Sequence, residues 1–358
     1  MGEERLGSRS LKAALEAIGR RKGEGDGKVR YLITGGAGFI GSHLTDALVA
    51  RGDEVLVLDD LSTGREENIA EARASGQVEF VEGSVCDEAL VDVCLEATDA
   101  CFHLASAVGV KLIVENSVES LSRSVRGAQV VIEGAHRLGR RLLFSSTSEI
   151  YGKNGSTLTE DSDRVLGPPS VARWSYSTAK AFGEAMALGY HREREADTVV
   201  ARLFNTVGPR QSGSYGMVLP RFVAQAIAGE ELTVYGDGSQ SRCFAHVYDT
   251  TRALVMLMDE EGARGKAFNV GRSSEITILE LAETVIERTG SSSGIRTVPY
   301  EEAYGEGFQE LGRRRPDTTA LEQMTGWRST RGVEDAIDDV ADFERARIAE
   351  QAVLDAQV

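Results

Sequence analysis

Short apolar runs alternate along the chain with longer segments in which apolar residues recur at helical spacing. The short runs have the length and apolar content of buried strands, and they lie at residues 29–33, 54–59, 79–81, 100–105, 141–145 and 198–203. The longer segments at 118–138 and 176–194 predict two long helices. Strands that alternate with helices predict an α/β fold, with a doubly wound parallel sheet of the Rossmann type.

The pattern changes past Asn205, where glycines, arginines and short helical segments replace the alternation. We interpret this part as a smaller C-terminal lobe that binds the substrate. Residues 277–280 have the sequence of a helix-capping box, and Gly290 is the predicted end of that helix. The predicted organisation is an N-terminal extension over 1–27, a Rossmann domain over 28–204, a lobe over 205–345 with some strands returning to the sheet, and a tail over 346–358.

Composition narrows the classes of function. The chain has 358 residues, of which 41% are hydrophobic, and no apolar run reaches the length of a membrane span. Its net charge of −16 argues against nucleic acid as a partner. The four cysteines lack metal-site spacing, so we expect no metal and a reduced, cytoplasmic protein. Residues 1–27 contain no apolar signal core, and their amphipathic stretch at 11–18 predicts a short helix on a flexible, glycine-rich tether.

The first strand leads into a glycine-rich turn, T-G-G-A-G-F-I-G, at residues 34–41. Gly35 permits the tight turn, Gly38 allows a pyrophosphate to approach the backbone, and Gly41 allows the helix to pack closely on the strand. The exposed amides at the start of the helix then face the phosphates. The second strand ends at Asp59, about 20 residues past the glycines, where a carboxylate accepts the ribose hydroxyls and repels a 2′-phosphate. The segment predicts a dinucleotide site that prefers NAD to NADP.

Further along, the sequence Y-S-T-A-K at 176–180 places Tyr176 and Lys180 on one face of a helix. A free phenol, with a pKa of ~10, is a poor base at neutral pH. A neighbouring ammonium and a cationic nicotinamide both favour the phenolate, so we expect the pKa of Tyr176 to be lowered towards neutrality. The pair predicts removal of a hydroxyl proton beside a nicotinamide, which is oxidoreductase chemistry at an alcohol carbon.

Four further segments, S-T-S-E-I-Y-G, R-W-S-Y-S-T-A-K, R-L-F-N and S-R-C-F, begin at residues 146, 173, 202 and 241. With these and the glycine motif, residues 29–345 resemble the extended short-chain dehydrogenase/reductases that act on nucleotide sugars, most of all the UDP-glucuronate decarboxylases. The resemblance implies catalytic roles for Thr147, Glu149, Tyr176, Lys180 and Arg242. It implies NAD contacts at Gly35, Gly38, Phe39, Ile40, Gly41, Asp59, Leu104, Ala105, Tyr176 and Lys180. It implies contacts to a UDP-sugar at Ser148, Asn205, Val218, Arg221, Arg242 and Arg314.

The resemblance also implies a reaction. C4 of UDP-glucuronate is oxidised, the new ketone lies β to the carboxylate, CO₂ departs, and C5 is protonated near Glu149 and Arg242. Reduction at C4 then gives UDP-xylose. If the keto intermediate is released before that reduction, the product is UDP-4-keto-xylose. By the same resemblance, Thr147 contacts the C4 hydroxyl and Arg314 contacts the diphosphate.

Other activities of the same fold stay open at this point. A 4-epimerase or a 4,6-dehydratase is the alternative, and a non-catalytic NAD-binding scaffold is a remote one. Dehydratases acting on dTDP-glucose carry an aspartate where this chain has Ser148, whereas GDP-mannose dehydratases can share the T-S-E triplet.

The chain departs from the family at Gly83-Ser84, where an aspartate usually contacts adenine, so Ser84, Val85 or the backbone is left to make that contact.

The two long helices resemble the family's dimer-forming pair, so we expect a homodimer with a four-helix interface.

Overall fold

The central element of the computed structural model, which describes residues 28–106, 117–213, 217–300, 302 and 313–355, is a parallel β-sheet. The strands in chain order are β1 (Arg30–Thr34), β2 (Glu54–Asp59), β3 (Val78–Glu82), β4 (Ala100–His103), β5 (Arg141–Thr147), β6 (Thr157–Leu158), β7 (Thr198–Leu203), β8 (Thr206–Val207), β9 (Leu232–Tyr235), β10 (Ser241–Cys243), β11 (Ala245–His246), β12 (Ala267–Val270), β13 (Glu275–Thr277), β14 (Ile295–Val298) and β15 (Arg315–Pro316). The prediction for residues 1–27 lies outside the described residues.

The helices are α1 (Phe39–Arg51), α2 (Ala70–Ala74), α3 (Glu88–Glu96), α4 (Ser117–Arg137), α5 (Arg173–Arg194), α6 (Val218–Ala228), α7 (Val247–Asp259), α8 (Ile278–Thr289), α9 (Thr319–Thr325) and α10 (Val333–Asp355). Short 3₁₀ turns cover Glu66–Ile69, Ser148–Tyr151 and Glu261–Ala263. In the described residues no helix is long and apolar enough to cross a membrane.

Seven of the strands form the main sheet in the order β12-β7-β5-β4-β1-β2-β3, and every neighbouring pair is parallel. This confirms the predicted doubly wound Rossmann-type sheet. The strand order reverses between β1 and β4, so connections from these strands leave towards opposite sides and open a crevice at their carboxyl ends. Ligands of such sheets bind in that crevice, and the predicted site residues lie there.

Alternate side chains of the strands build a core on each face of the sheet. On one face, Ile33 and Val57 pack with residues of α1 and α7. On the other face, Leu32 and Leu56 pack with residues of α3, α4 and α5. Because the strands are covered on both sides, they have the near-continuous apolar sequences typical of parallel sheets.

A third apolar cluster forms the core of the C-terminal lobe, where α6, α8 and α10 pack together. Thr277 and Glu280 form the predicted capping box at the start of α8, and Gly290 ends that helix in the left-handed conformation. β12 follows the lobe segments α6 and α7 in the chain and joins the main sheet beside β7. The predicted boundary at 345 does not mark the end of an element, because α10 continues to Asp355.

Candidate active site

A cavity of about 1600 Å³ lies between the carboxyl edge of the sheet and the C-terminal lobe. Every residue that the sequence assigned to catalysis, NAD or substrate lines it. The residues come from the glycine turn, the ends of β2, β4 and β5, helix α5, and the lobe segments around α6, β10 and β15. The fold therefore brings the two motifs and the lobe arginines together in one cleft.

The glycine turn has the tight geometry that its sequence predicts. Gly35 adopts a φ of 74°, which favours glycine. A Cβ on Gly41 would lie 2.1 Å from the carbonyl oxygen of Gly35, so no larger residue fits between turn and helix. Gly38 caps α1, and Phe39 and Ile40 form its first turn beside the cavity. This cradle, with a helix N-terminus facing the cleft, fits the pyrophosphate of a dinucleotide.

Asp59 ends β2 at the rim of the same cradle. Its carboxylate accepts hydrogen bonds from the backbone N–H groups of Ala37, at 3.0 Å, and Leu61, at 2.9 Å. Burial raises the pKa of Asp59 above its ordinary value, although these backbone donors act against the rise. The carboxylate thus connects the second strand to the glycine turn and borders the cavity where a ribose would lie.

The rest of the predicted NAD site follows β3 and β4. Leu104 and Ala105 come directly after β4 and line the cavity. Ser84, which stands where the resemblance implies an aspartate, lines it as well, and so does Val85. The hydroxyl of Ser84 accepts a hydrogen bond from the N–H of Cys86 at 3.2 Å, so its own proton is available to a ligand.

The predicted base, Tyr176, is partly buried on α5 and faces Thr147 at the end of β5. Burial raises the pKa of the Tyr176 phenol, the negative charge of Glu149 raises it further, and a hydrogen bond with Thr147 lowers it. The expected lowering of this pKa is therefore wrong for the protein's own groups. The reason is that burial and a nearby carboxylate outweigh the hydrogen bond, which leaves the cationic nicotinamide as the group able to lower it.

Lys180 lies one turn after Tyr176 and is only 5% exposed. Its ammonium nitrogen donates to the backbone oxygen of Ser145, at 2.9 Å, and lies 5.3 Å from the centre of the Phe144 ring. Burial lowers the pKa of Lys180 to about 7. The side chain is thus fastened to β5 by its hydrogen bond to Ser145.

Glu149 contacts Arg314, and both line the cavity. Glu149 lies in the 3₁₀ turn after β5, whereas Arg314 directly precedes β15. Arg314 is 7% exposed and also approaches the hydroxyl of Ser148, at 3.5 Å, and the amide oxygen of Asn205, at 3.4 Å. The sequence assigned Arg314 to the diphosphate alone and did not predict its contact with Glu149.

The other predicted substrate residues come from the lobe. Arg242 is buried in β10, and its guanidinium donates to the backbone oxygen of Ser241 at 2.7 Å. Arg221 donates to the backbone oxygen of Thr233 at 3.0 Å and lies 4.2 Å from the centre of the Tyr235 ring. These two cations, with Val218 at the start of α6, line the lobe side of the cavity.

Sequence reasoning missed several cavity residues. Asp60 and Arg123 approach each other to 3.8 Å across the NAD side of the cleft. Gln211, in the loop after β8, and Arg347, on α10, also line the cavity. None of them belongs to a short motif, so only the position of Asp60 directly after the strand-ending Asp59 offered a signal. Among the described residues there is no group of three or more histidines, cysteines, aspartates or glutamates arranged to hold a metal ion.

The chain is similar to several known enzymes. Residues 31–271 match the model of the NAD dependent epimerase/dehydratase family. A UDP-N-acetyl-alpha-D-glucosaminuronate decarboxylase of Bacillus cytotoxicus is 40% identical over 83% of this chain and 92% of its own length. UDP-glucuronic acid decarboxylase 2 of Arabidopsis thaliana is 36% identical over 86% of this chain, which spans 65% of that relative. The solved structure of an epimerase from Methanothermobacter thermautotrophicus, 28% identical, superposes with a TM-score of 0.82 over 90% of this chain and 95% of that one.

Proposed function

The chain belongs to the NAD-dependent epimerase/dehydratase family, and from that premise we propose that it decarboxylates UDP-glucuronate with NAD as its redox cofactor. The products are UDP-xylose, UDP-4-keto-xylose or both. The observation that carries the proposal is the partly buried contact of Glu149 with Arg314 beside the Thr147–Tyr176 hydrogen bond. It puts a paired carboxylate and guanidinium next to the groups suited to alcohol oxidation.

The first step needs a base for the C4 hydroxyl. NAD, when bound, accepts a hydride from C4 and later returns it. Tyr176 removes the hydroxyl proton, and Thr147 hydrogen-bonds to the same oxygen and orients it. Lys180, which donates to the backbone oxygen of Ser145 on β5, would hold the nicotinamide ribose.

The second step breaks the C5–C6 bond. The C4 ketone accepts the electron pair of that bond as CO₂ leaves, and the resulting enolate oxygen is stabilised by the hydroxyls of Tyr176 and Thr147. One proton, delivered by a water held near Glu149, Arg242 and Arg314, then reaches C5. Return of the hydride to C4, with the proton held by Tyr176, completes a sequence whose net change is substrate plus one proton to product plus CO₂.

The electrostatics of the cleft suit a substrate with a carboxylate. Arg242 and Arg221 are cations on the lobe side, and Arg314 already balances Glu149. In a protein with a net charge of −16, local arginines are needed to attract an anion. A guanidinium can hold a carboxylate or a phosphate through two hydrogen bonds, which is the recognition that a UDP-hexuronate requires.

Dehydration is the less favoured reaction. A sugar 4,6-dehydratase of the kind that acts on dTDP-glucose protonates the departing C6 hydroxyl with an aspartate, and this chain has Ser148 at that position. A 4-epimerase has no need of a carboxylate paired with a buried arginine at this point. Both reactions nevertheless share the C4 oxidation, so the test below includes their substrates.

A second substrate is favoured by one specific comparison. The relative from Bacillus cytotoxicus is named for UDP-N-acetylglucosaminuronate, and this chain spans nearly all of it. That sugar differs from glucuronate at C2, away from the C4 and C6 groups on which the chemistry acts. We therefore propose it as the alternative substrate of the same decarboxylation.

The deciding experiment incubates the purified protein and NAD⁺ with each UDP-hexuronate labelled at the carboxyl carbon. We expect labelled CO₂ and a UDP-pentose, or its keto form, by mass spectrometry, with the larger kcat/KM identifying the substrate. UDP-glucose and UDP-N-acetylglucosamine serve as controls without a carboxylate. Oxidation or epimerisation of these controls with no CO₂ from either hexuronate would show the proposal to be wrong.

We also propose a cytoplasmic homodimer. All four cysteines are free thiols, which suits a reducing compartment. Helices α4 and α5 pack against each other, and Phe182 on α5 is 43% exposed. A second copy of this helix pair would cover that side chain.

A further inference from the structure

A buried polar network lies directly beneath the catalytic groups. It consists of Ser146, Tyr151, Glu184, Arg202 and Asn269. At its centre the guanidinium of Arg202, on β7, forks onto the carboxylate of Glu184, on α5, with Nε–oxygen distances of 3.0 and 3.1 Å. These two side chains are 8% and 6% exposed, so the pair is almost fully removed from water.

We propose that this Glu184–Arg202 network is a positioning device that fixes the base helix, the Thr147 strand and the Glu149 turn relative to one another. The inference rests on the proposed function for the meaning of the steps it affects. Apart from Ser146, its members do not line the cavity, so they are not candidates for contact with substrate or cofactor.

The network reaches each catalytic element through a separate contact. Glu184 lies one turn after Lys180 on α5, and it accepts a hydrogen bond of 2.8 Å from Ser146, the residue before Thr147. Ser146 and Arg202 are paired neighbours on β5 and β7, so the carboxylate spans the two strands. The base helix is thereby locked to the end of the strand that carries Thr147.

A second branch leads to the turn that carries Glu149. Arg202 donates to the phenol oxygen of Tyr151 at 2.7 Å, and Tyr151 donates onward to the amide oxygen of Asn269 at 2.7 Å. Tyr151 belongs to the same 3₁₀ turn as Glu149. The orientation of that turn is therefore tied to the Glu184–Arg202 pair.

A third branch leads to the arginine segment. The side-chain amide of Asn269 donates to the backbone oxygens of Leu158, at 2.9 Å, and Asp317, at 3.2 Å. Leu158 is in β6, which pairs with β15 next to Arg314. A chain of hydrogen bonds thus runs from the base helix to the segment that flanks β15, directly after Arg314.

Stability alone does not account for this arrangement. A buried ion pair contributes little more to folding than well-packed apolar residues of the same volume, because both charges lose their hydration. What the pair does supply is directional geometry, and a misplacement of about 1 Å in a catalytic site can lower the rate about 100-fold. Selective effects on individual steps of the reaction are the expected signature.

The test uses Glu184→Gln and Tyr151→Phe in the full-length protein with bound NAD. Glu184→Gln leaves the guanidinium of Arg202 without its counter-charge and frees both α5 and β5, so single-turnover nicotinamide reduction and CO₂ release should both slow by about 10- to 100-fold. Tyr151→Phe keeps the Glu184–Arg202 pair and loosens only the Glu149 turn. We expect it to slow CO₂ release about 10-fold and to leave nicotinamide reduction within about 3-fold of wild type. UDP affinity and NAD content should stay near wild type in both.

The matched control is Asp249→Asn. Asp249 is equally buried and accepts hydrogen bonds from Thr330 and Arg331, but it does not line the cavity. The Asp249→Asn substitution should lower Tm without changing the ratio of the rate of nicotinamide reduction to the rate of CO₂ release. Wild-type rates in both network variants, or the same loss of rate in Asp249→Asn, would overturn the inference. A wild type that reduces NAD but releases no CO₂ would instead refute the proposed function, and the nicotinamide arm of the Glu184→Gln test would still apply.

Discussion

The carboxylate of Glu149 and the guanidinium of Arg314 contact each other although 165 positions separate them in the chain. The pairing of β6 with β15 carries the arginine segment back to the Rossmann half, where it meets the turn after β5. The groups that we propose as catalytic therefore come from both parts of the chain. Glu149, from the Rossmann half, and Arg314, from the C-terminal segment, meet at one point of the cleft.

Tyr176→Phe tests the base. The substitution keeps the ring and removes the phenol, so C4 loses its proton acceptor. Turnover should fall by about 10²- to 10⁴-fold, because that is the usual contribution of a positioned acid–base group. Bound NAD, measured from the denatured protein, should stay near wild type. A variant that retains near-normal turnover would remove Tyr176 from this role.

Two substitutions should move the pH profile in opposite directions. Glu149→Gln removes a negative charge that raises the pKa of Tyr176, so this pKa should fall. Thr147→Val removes a hydrogen bond that lowers the same pKa, so it should rise. Because the base has to be deprotonated, the acidic limb of the kcat/KM profile for nicotinamide reduction should shift to lower pH in Glu149→Gln and to higher pH in Thr147→Val. Shifts of the same sign would contradict the assignment.

Asp59→Asn tests the choice of cofactor. The amide keeps the shape of the carboxylate but loses its charge, so it accepts the ribose hydroxyls less strongly and no longer repels a 2′-phosphate. We expect NAD to bind about 10- to 100-fold more weakly and NADP to bind more tightly than in wild type. Titration calorimetry with both cofactors measures the preference. An unchanged ratio of the two affinities would mean that the ribose is recognised elsewhere.

Lys180→Met should stabilise the NAD-depleted protein in a pH-dependent way. Burial lowers the pKa of Lys180 to about 7, against 10.5 for an ordinary lysine, so between these values the unfolded chain binds more protons than the folded one. The stability contributed by Lys180 therefore rises with pH across this window. The gain in Tm on substitution should be largest below about pH 7 and shrink towards pH 10. Lys266→Met, at an exposed lysine, controls for the change of residue type.

Phe182→Glu tests the proposed dimer. Phe182 is 43% exposed on α5, and Val118, on the neighbouring α4, is 78% exposed. Light scattering at micromolar concentration should report a dimer for the wild type and a shift towards monomer for the variant, because a carboxylate cannot be buried unpaired in a helix interface. A wild type that stays monomeric would exclude the four-helix assembly.

The parts of the site that could be predicted are those whose residues lie close together in the sequence. The glycine turn and Asp59 follow from spacing within one βαβ unit, and the Tyr176–Lys180 pair follows from one helix face. The partner of Lys180 could not be predicted, since its bond to Ser145 depends on how α5 packs against β5. The direction of the Tyr176 pKa was wrong for the same reason, because neither burial nor the nearness of Glu149 is visible in helical spacing.

The end of the last helix was also missed. Residues 346–355 carry apolar side chains such as Ile348 and Val353 that are exposed, so no core-facing stripe marks them as helical. By contrast, the capping box at Thr277 and the stop at Gly290 were predicted because each is a short-range hydrogen-bonding device. Sequence rules predict a feature correctly when hydrogen bonds between nearby residues determine it. They fail when the feature depends on contacts with residues far away in the chain.

The position of β12 has a consequence for how the chain is made. This strand completes the main sheet against β7, yet it is synthesised only after the segment that contains β8 to β11, α6 and α7. Until residue 270 leaves the ribosome, β7 is an open edge whose residues Val199, Val200 and Ala201 are buried in the finished protein. A fragment cut at residue 204 would therefore expose the unpaired backbone groups of β7, which are a template for pairing with a strand of another chain.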